Sequence, residues 1–259
     1  MESNTATLGN MNLGNMKLTN RTADRSPRAM ARFAGLLYLL IAVCGGFSFF
    51  YVRTTIIVPG DATATVSKLM ASEWLFRLGI VGDAVVFLSE IVLIAILYAL
   101  LKPVSKTLSL AAALARLAMV VMQGMNLLNY FFVLLLVSGA GYLTVFEPDQ
   151  LHALVLLFLN AYEYVALIWG TFFGLHTLLL GYLVYKSGYF PRILGVLLVL
   201  ASFGYLIDSF GNVLLPQYDE LYASTVVLLA IVGELSLTFW LLIKGVNVEQ
   251  WKKRALESA

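Results

Sequence analysis

Four ionisable side chains, Glu90, Arg116, His176 and Glu234, stand in four separate long apolar stretches, and their types suit proton or ion chemistry. Each lies at a similar count from a flanking lysine. Arg116 is ten residues beyond Lys106, His176 ten before Lys186, Glu234 ten before Lys244 and Glu90 twelve before Lys102. At a helical rise of about 1.5 Å per residue, these counts place all four roughly 15–18 Å from one membrane surface. That is about half of a ~30 Å hydrocarbon layer. An ionisable group at such a depth costs about 2.5–3.5 kcal/mol to insert, so it faces protein or water rather than lipid.

A second polar layer is expected farther along the same helices, from Asp83, Gln123 and Asp208. Asp83 and Glu90 are seven residues apart, and so are Arg116 and Gln123. Seven residues bring a helix back to within about 20° of the same face, so each pair forms one polar stripe. Facing stripes would pair Glu90 with Arg116 and Asp83 with Gln123, and leave His176 to meet Glu234.

Such a layer supports three chemistries. It can be a structural lock that fixes helix register. It can be a route for protons or a small solute, with carboxylates that change charge. It can also be a hydrolytic site in which acids and His176 hold water or a metal. The chain has two histidines, no HExxH spacing and no readable nucleophile–His–acid pattern, so neither a metal site nor a cofactor is implied.

The elements that must position these residues are readable from composition. Of 259 residues, 60 % are hydrophobic and 12 % charged, about half the charge of an ordinary soluble chain. Six apolar segments, at about 33–52, 76–101, 108–137, 164–185, 192–211 and 221–243, reach the length of a membrane-spanning helix. The expected fold is therefore all-α, a polytopic six-helix transmembrane bundle occupying 31–246. Residues 1–30 read as a polar, disordered tail rather than a signal peptide, and 247–259 as a short basic tail.

Thirteen Lys and Arg, from Lys17 to Arg254, fall on the side of the termini, against Arg53, Lys68 and Arg77 on the other. The positive-inside rule then puts both termini in the cytoplasm. The basic residues are scattered over short loops, so nucleic acid is not an expected partner. The lipid bilayer is the expected partner, with a small solute or protons as cargo. The stretch 149–186 is too long for one perpendicular span and lacks turn residues, so it reads as one span with an outer helical extension. A seven-span division is the alternative. Gly170, Gly174 and Gly181 make a small-residue face, suited either to packing within the bundle or to a homo-oligomer. Cys44 lies inside the first span, where it reads as a packing residue.

The segments ARFAGLLYLLIAVCGGFS, FFGLHTLLLGYLVYKSGYFPRILGVLL and GELSLTFWLLIKG resemble a bacterial membrane-protein family, domain-of-unknown-function family 4386. The resemblance runs from about Arg32 to Val246. It implies a multi-pass protein of the bacterial inner membrane and brings no established activity or site residues.

Overall fold

A computed structural model describes residues 26–258, and among them every regular element is helical. The helices are α1 (Pro27–Ile56), α2 (Ala62–Ala71), α3 (Glu73–Leu101), α4 (Lys106–Leu136), α5 (Pro148–Ser187), α6 (Arg192–Leu214), α7 (Asp219–Ile243) and α8 (Val248–Glu257). All but α2 and α8 are long and apolar enough to cross a membrane. The chain is a polytopic all-α membrane protein.

α1 starts at Pro27, inside the stretch assigned to the N-terminal tail, because proline is tolerated at the first helical position, where its missing N–H has no partner anyway. The rest of that expected tail, residues 1–25 with Lys17, Arg21 and Arg25, lies outside the described residues. The C-terminal tail contains α8, capped where Asn247 accepts from the Gln250 amide at 3.2 Å. The 148–187 stretch is one unbroken helix of 40 residues, so the single-span reading holds and the seven-span division does not. Forty residues rise about 60 Å, twice a hydrocarbon layer. A capping box between Glu147 and Gln150 starts this helix, and Gly188 ends it at φ +78°. α1 contains a π turn over Phe47–Val52, just after Gly45 and Gly46.

Each span packs on its neighbours in sequence, and α7 returns to α1, closing a ring. Both described termini lie at one end of the ring, where Arg32 Nη2 donates to the Ile243 carbonyl at 3.4 Å. At this terminal end one apolar core draws on all six spans, including Leu37, Leu93, Leu183, Leu198, Leu237 and Leu241. Two side chains clasp it. The Tyr189 hydroxyl donates to the Leu100 carbonyl at 2.7 Å, and Trp251 Nε1 donates to the same oxygen at 2.9 Å. Burial pushes the Tyr189 phenol well above its ordinary pKa, against the pull of Arg254.

The far end is built differently. Its core includes Val52, Phe76, Tyr130 and Leu159, from α1, α3, α4 and α5, together with α2, and contains nothing from α6 or α7. From Leu221 to Val232 no residue of α7 is buried. α7 is thus buried only in its terminal half, while its far half contributes nothing to the core.

The glycine face of α5 packs within the chain, against α6. A Cβ on Gly170 would sit 2.7 Å from Ser209 Oγ, and one on Gly174 would sit 2.9 Å from Leu206. One on Gly181 would meet the Gly195 carbonyl at 2.8 Å, and Gly195 faces Gly181 and Tyr185 backbone at 2.6 Å in return. Small residues are what let two backbones come this close. Gly195→Ala should therefore destabilise the protein by about 1–3 kcal/mol through overpacking. Gly124→Ala, with nothing within 4 Å of the new carbon, should be neutral or up to about 1 kcal/mol stabilising. Thermal unfolding of the two variants in detergent compares them; equal melting temperatures would contradict this packing.

Candidate functional site

Near mid-depth the ring carries one polar side chain from each span: Tyr38, Glu90, Arg116, His176, Tyr205 and Glu234. Four of them meet directly. The Arg116 guanidinium forms a two-pronged pair with Glu90, its Nε donating to Oε2 and its Nη2 to Oε1 at 2.9 Å. Nη1 donates to the Tyr38 hydroxyl at 3.0 Å and to His176 Nε2 at 2.8 Å. Four of the five guanidinium N–H groups are thereby engaged. Rings flank the group on both sides, Tyr38 at 5.0 Å and Phe173 at 5.5 Å. Arg116, Glu90 and His176 are 1–3 % exposed, so the pair is held without bulk solvent.

The arginine also settles the state of His176. A guanidinium only donates, so Nε2 accepts. Nδ1 must then carry the proton, which it donates to the Ala112 carbonyl at 2.8 Å. His176 is neutral and fixed in one tautomer, with both ring nitrogens occupied. It is not available as a metal ligand or a general base while this hub stands. Among the described residues, no three of His, Cys, Asp and Glu are grouped closely enough to hold a metal ion.

Glu234 belongs to the same layer but stands apart from the hub. It does not meet His176. Its Oε1 accepts from the Tyr205 hydroxyl at 2.5 Å, and no cation lies within ion-pair distance among the described residues. The separation has a simple cause: Arg116 already takes His176 from α5, and the Phe173 and Tyr205 rings, 4.8 Å apart, fill the space beside it. On α6, Tyr205 is followed by Asp208 and Asn212, at the three- and four-residue steps that keep one helix face. Asn212 Nδ2 donates to Asp208 Oδ1 at 3.0 Å. Glu234, Tyr205, Asp208 and Asn212 are all half-buried, and they run toward the far end.

The second layer is two separate groups. Asp83 and Gln123 do not touch. Tyr162 comes between them, taking a bond from Gln123 Nε2 at 2.7 Å, while its hydroxyl lies 3.5 Å from Asp83 Oδ2. Tyr162 stacks on Tyr130 at 4.2 Å and lies under Arg53, which pairs with Glu163. Ser48, in the π turn of α1, donates to the Gly79 carbonyl at 2.9 Å. Asp208 has no contact with this group and belongs to the α6 row. A π turn commonly marks a functional site, and this one brings Ser48 and Arg53 to the Asp83–Tyr162 group.

The charged members stand out by composition, but the tyrosines do not. Tyr38 is ten residues beyond Arg28, the same count that marks Arg116, so a depth count extended to hydroxyls finds it.

A profile of the family described as a domain of unknown function, DUF4386, matches residues 33–245. The chain belongs to this family. An uncharacterized protein of Archaeoglobus fulgidus is 33 % identical over 166 residues, which cover 64 % of this chain and 83 % of that protein. No solved structure matches this member.

Removing one partner of a buried ion pair leaves the other charged and alone, at a cost of about 3–5 kcal/mol. Glu90→Gln should therefore lower the stability in detergent by that amount. The double variant Glu90→Leu, Arg116→Met should recover much of the loss, because apolar replacement of a whole buried pair is often near neutral. Chemical unfolding of the three proteins checks this; a Glu90→Gln protein as stable as the wild type would refute the lock.

Proposed function

We propose that this family member moves protons, alone or coupled to a small solute, with Glu234 as the carboxylate that takes and releases them. The observation that carries this reading is charge balance in the central layer. Arg116 is matched by Glu90 and His176 is neutral, so Glu234 is the acid left without a cation. A carboxylate in low dielectric is costly when ionised and unpaired, so its proton binding responds to small changes around it. The row Tyr205, Asp208 and Asn212 supports access from the far end, where α7 has no buried residue. Toward the terminal end the apolar core around Leu198, Leu237 and Leu241 seals the layer. Transport in this reading requires α7 to move against the rest, while the Arg116 hub and the α5–α6 contact stay fixed.

In the same reading the protein lies in the cytoplasmic membrane with both termini inside. Among the described residues the terminal end carries Arg28, Arg32, Lys102, Lys106, Lys186 and Arg192, as well as the lysines after α7.

A second reading, a membrane scaffold that binds a partner protein, draws on the saturation of Arg116: a hub with four bonds is built to hold helices. The two separate in reconstituted vesicles. With a pH gradient imposed and an internal pH dye recording, wild-type protein should pass protons faster than empty vesicles. Glu234→Gln should abolish that excess with little loss of stability, and Tyr205→Phe should reduce it. A folded wild type with no excess flux, tested over a panel of ions and metabolites, would leave the scaffold reading in place.

A further inference from the structure

An open cleft of about 600 Å³ lies at the terminal end of the ring, lined by Arg28, Tyr189, Trp240, Lys244, Asn247 and Glu249, among others. It exists because the chain turns sharply after α7. Gly245 takes φ +67°, which only glycine adopts readily, and Trp240 Nε1 donates to its carbonyl at 3.0 Å. The turn brings α7's end against the start of α1: a Cβ on Gly245 would lie 3.1 Å from Arg28 Cγ. Asn247 N then donates to the Tyr189 carbonyl at 3.3 Å, which closes the third wall.

Two cations, Arg28 and Lys244, therefore face one opening, against a single acid, Glu249. Neither cation has a carboxylate within ion-pair distance among the described residues. Both are exposed, while Trp240 is half-buried between them and the bundle. Immediately inward, α7 exposes Phe239 and Ile243, and α1 exposes Phe33 and Leu36. Cations and a tryptophan beside exposed apolar side chains of α1 and α7 match a molecule with an anionic head and hydrocarbon tails.

We propose that this cleft binds the phosphate headgroup of an anionic phospholipid, held by Arg28 and Lys244, with its acyl chains along the α1–α7 seam. The site is independent of proton movement at Glu234 and stands whether or not that reading holds. Its occupant bridges α1 and α7, which is the contact that closes the ring. Bound lipid should therefore stabilise the closed ring.

The test uses the full chain purified in a non-ionic detergent, with melting temperature and native mass spectrometry as readouts. Phosphatidylglycerol should raise the melting temperature more than phosphatidylcholine with the same acyl chains, and should persist as a bound adduct. Arg28→Gln, Lys244→Gln should remove the excess shift and the adduct. Lys252→Gln, Lys253→Gln, which alters α8 charge outside the cleft, should keep both. Lys244→Gln alone, read by adduct abundance, serves if the double variant does not fold. Equal shifts from the two lipids would overturn the proposal. So would an effect lost equally in the α8 variant, which means general surface charge. A shift reproduced by inorganic phosphate would assign the cleft to a soluble anion and equally overturn it.

Discussion

A guanidinium in the middle of a membrane has to be satisfied within the protein, and the placement of Arg116 imposes that requirement on four helices. Its partners come from α1, α3 and α5, and it sits on α4. None of those helices can rotate or slide by one residue without taking a donor or acceptor away from a charge that has no water to turn to. Apolar packing in a membrane offers weak selection between registers, because lipid tails are as apolar as leucine. The ring of polar contacts supplies the selection that hydrophobic burial supplies in a soluble protein. The glycine contacts between α5 and α6 add a second, purely steric constraint, which extends the fixed part of the bundle by one helix.

α7 is joined to this frame by different means. It meets α1 at Gly35, where the contact is to Leu241 and Leu242, and it meets α6 at Gly204 and Gly233. In its far half it has no buried residue. Its one charged mid-membrane group, Glu234, is tied to a tyrosine rather than to an ion. The molecule is thus divided in its energetics, with five spans fixed by charge and close glycine contacts and α7 fixed by packing that buries residues only at one end.

The spans and their number were legible in the sequence because long apolar windows, and the charges within them, are conspicuous. Which charges meet was only half legible. The seven-residue stripes bring Glu90 to Arg116, since adjacent helices in sequence pack side by side. His176 was harder, because its bond to Arg116 depends on the rotation of α5 about its axis, and periodicity within an almost uniformly apolar helix does not report that rotation. Asp83 and Gln123 fail to meet because Tyr162 fills the space, and a tyrosine within a span is easily read as an ordinary aromatic. The π turn left only Gly45 and Gly46 as a trace, and the shallow burial of α7 left none, since a lipid-facing and a loosely packed helix have the same composition.

The unbroken length of α5 carries a mechanical consequence. Tyr162, His176 and Gly181 lie on one helix without a proline or a change of helix type between them. A continuous hydrogen-bonded helix resists bending, and sharp kinks need a cause such as proline or a π turn. Tyr162 and His176 therefore keep a fixed spacing of about 21 Å along the axis. The far-end group and the central hub cannot be moved relative to each other by flexing α5. This helix is a stator, and any motion the molecule makes is a motion of other helices around it.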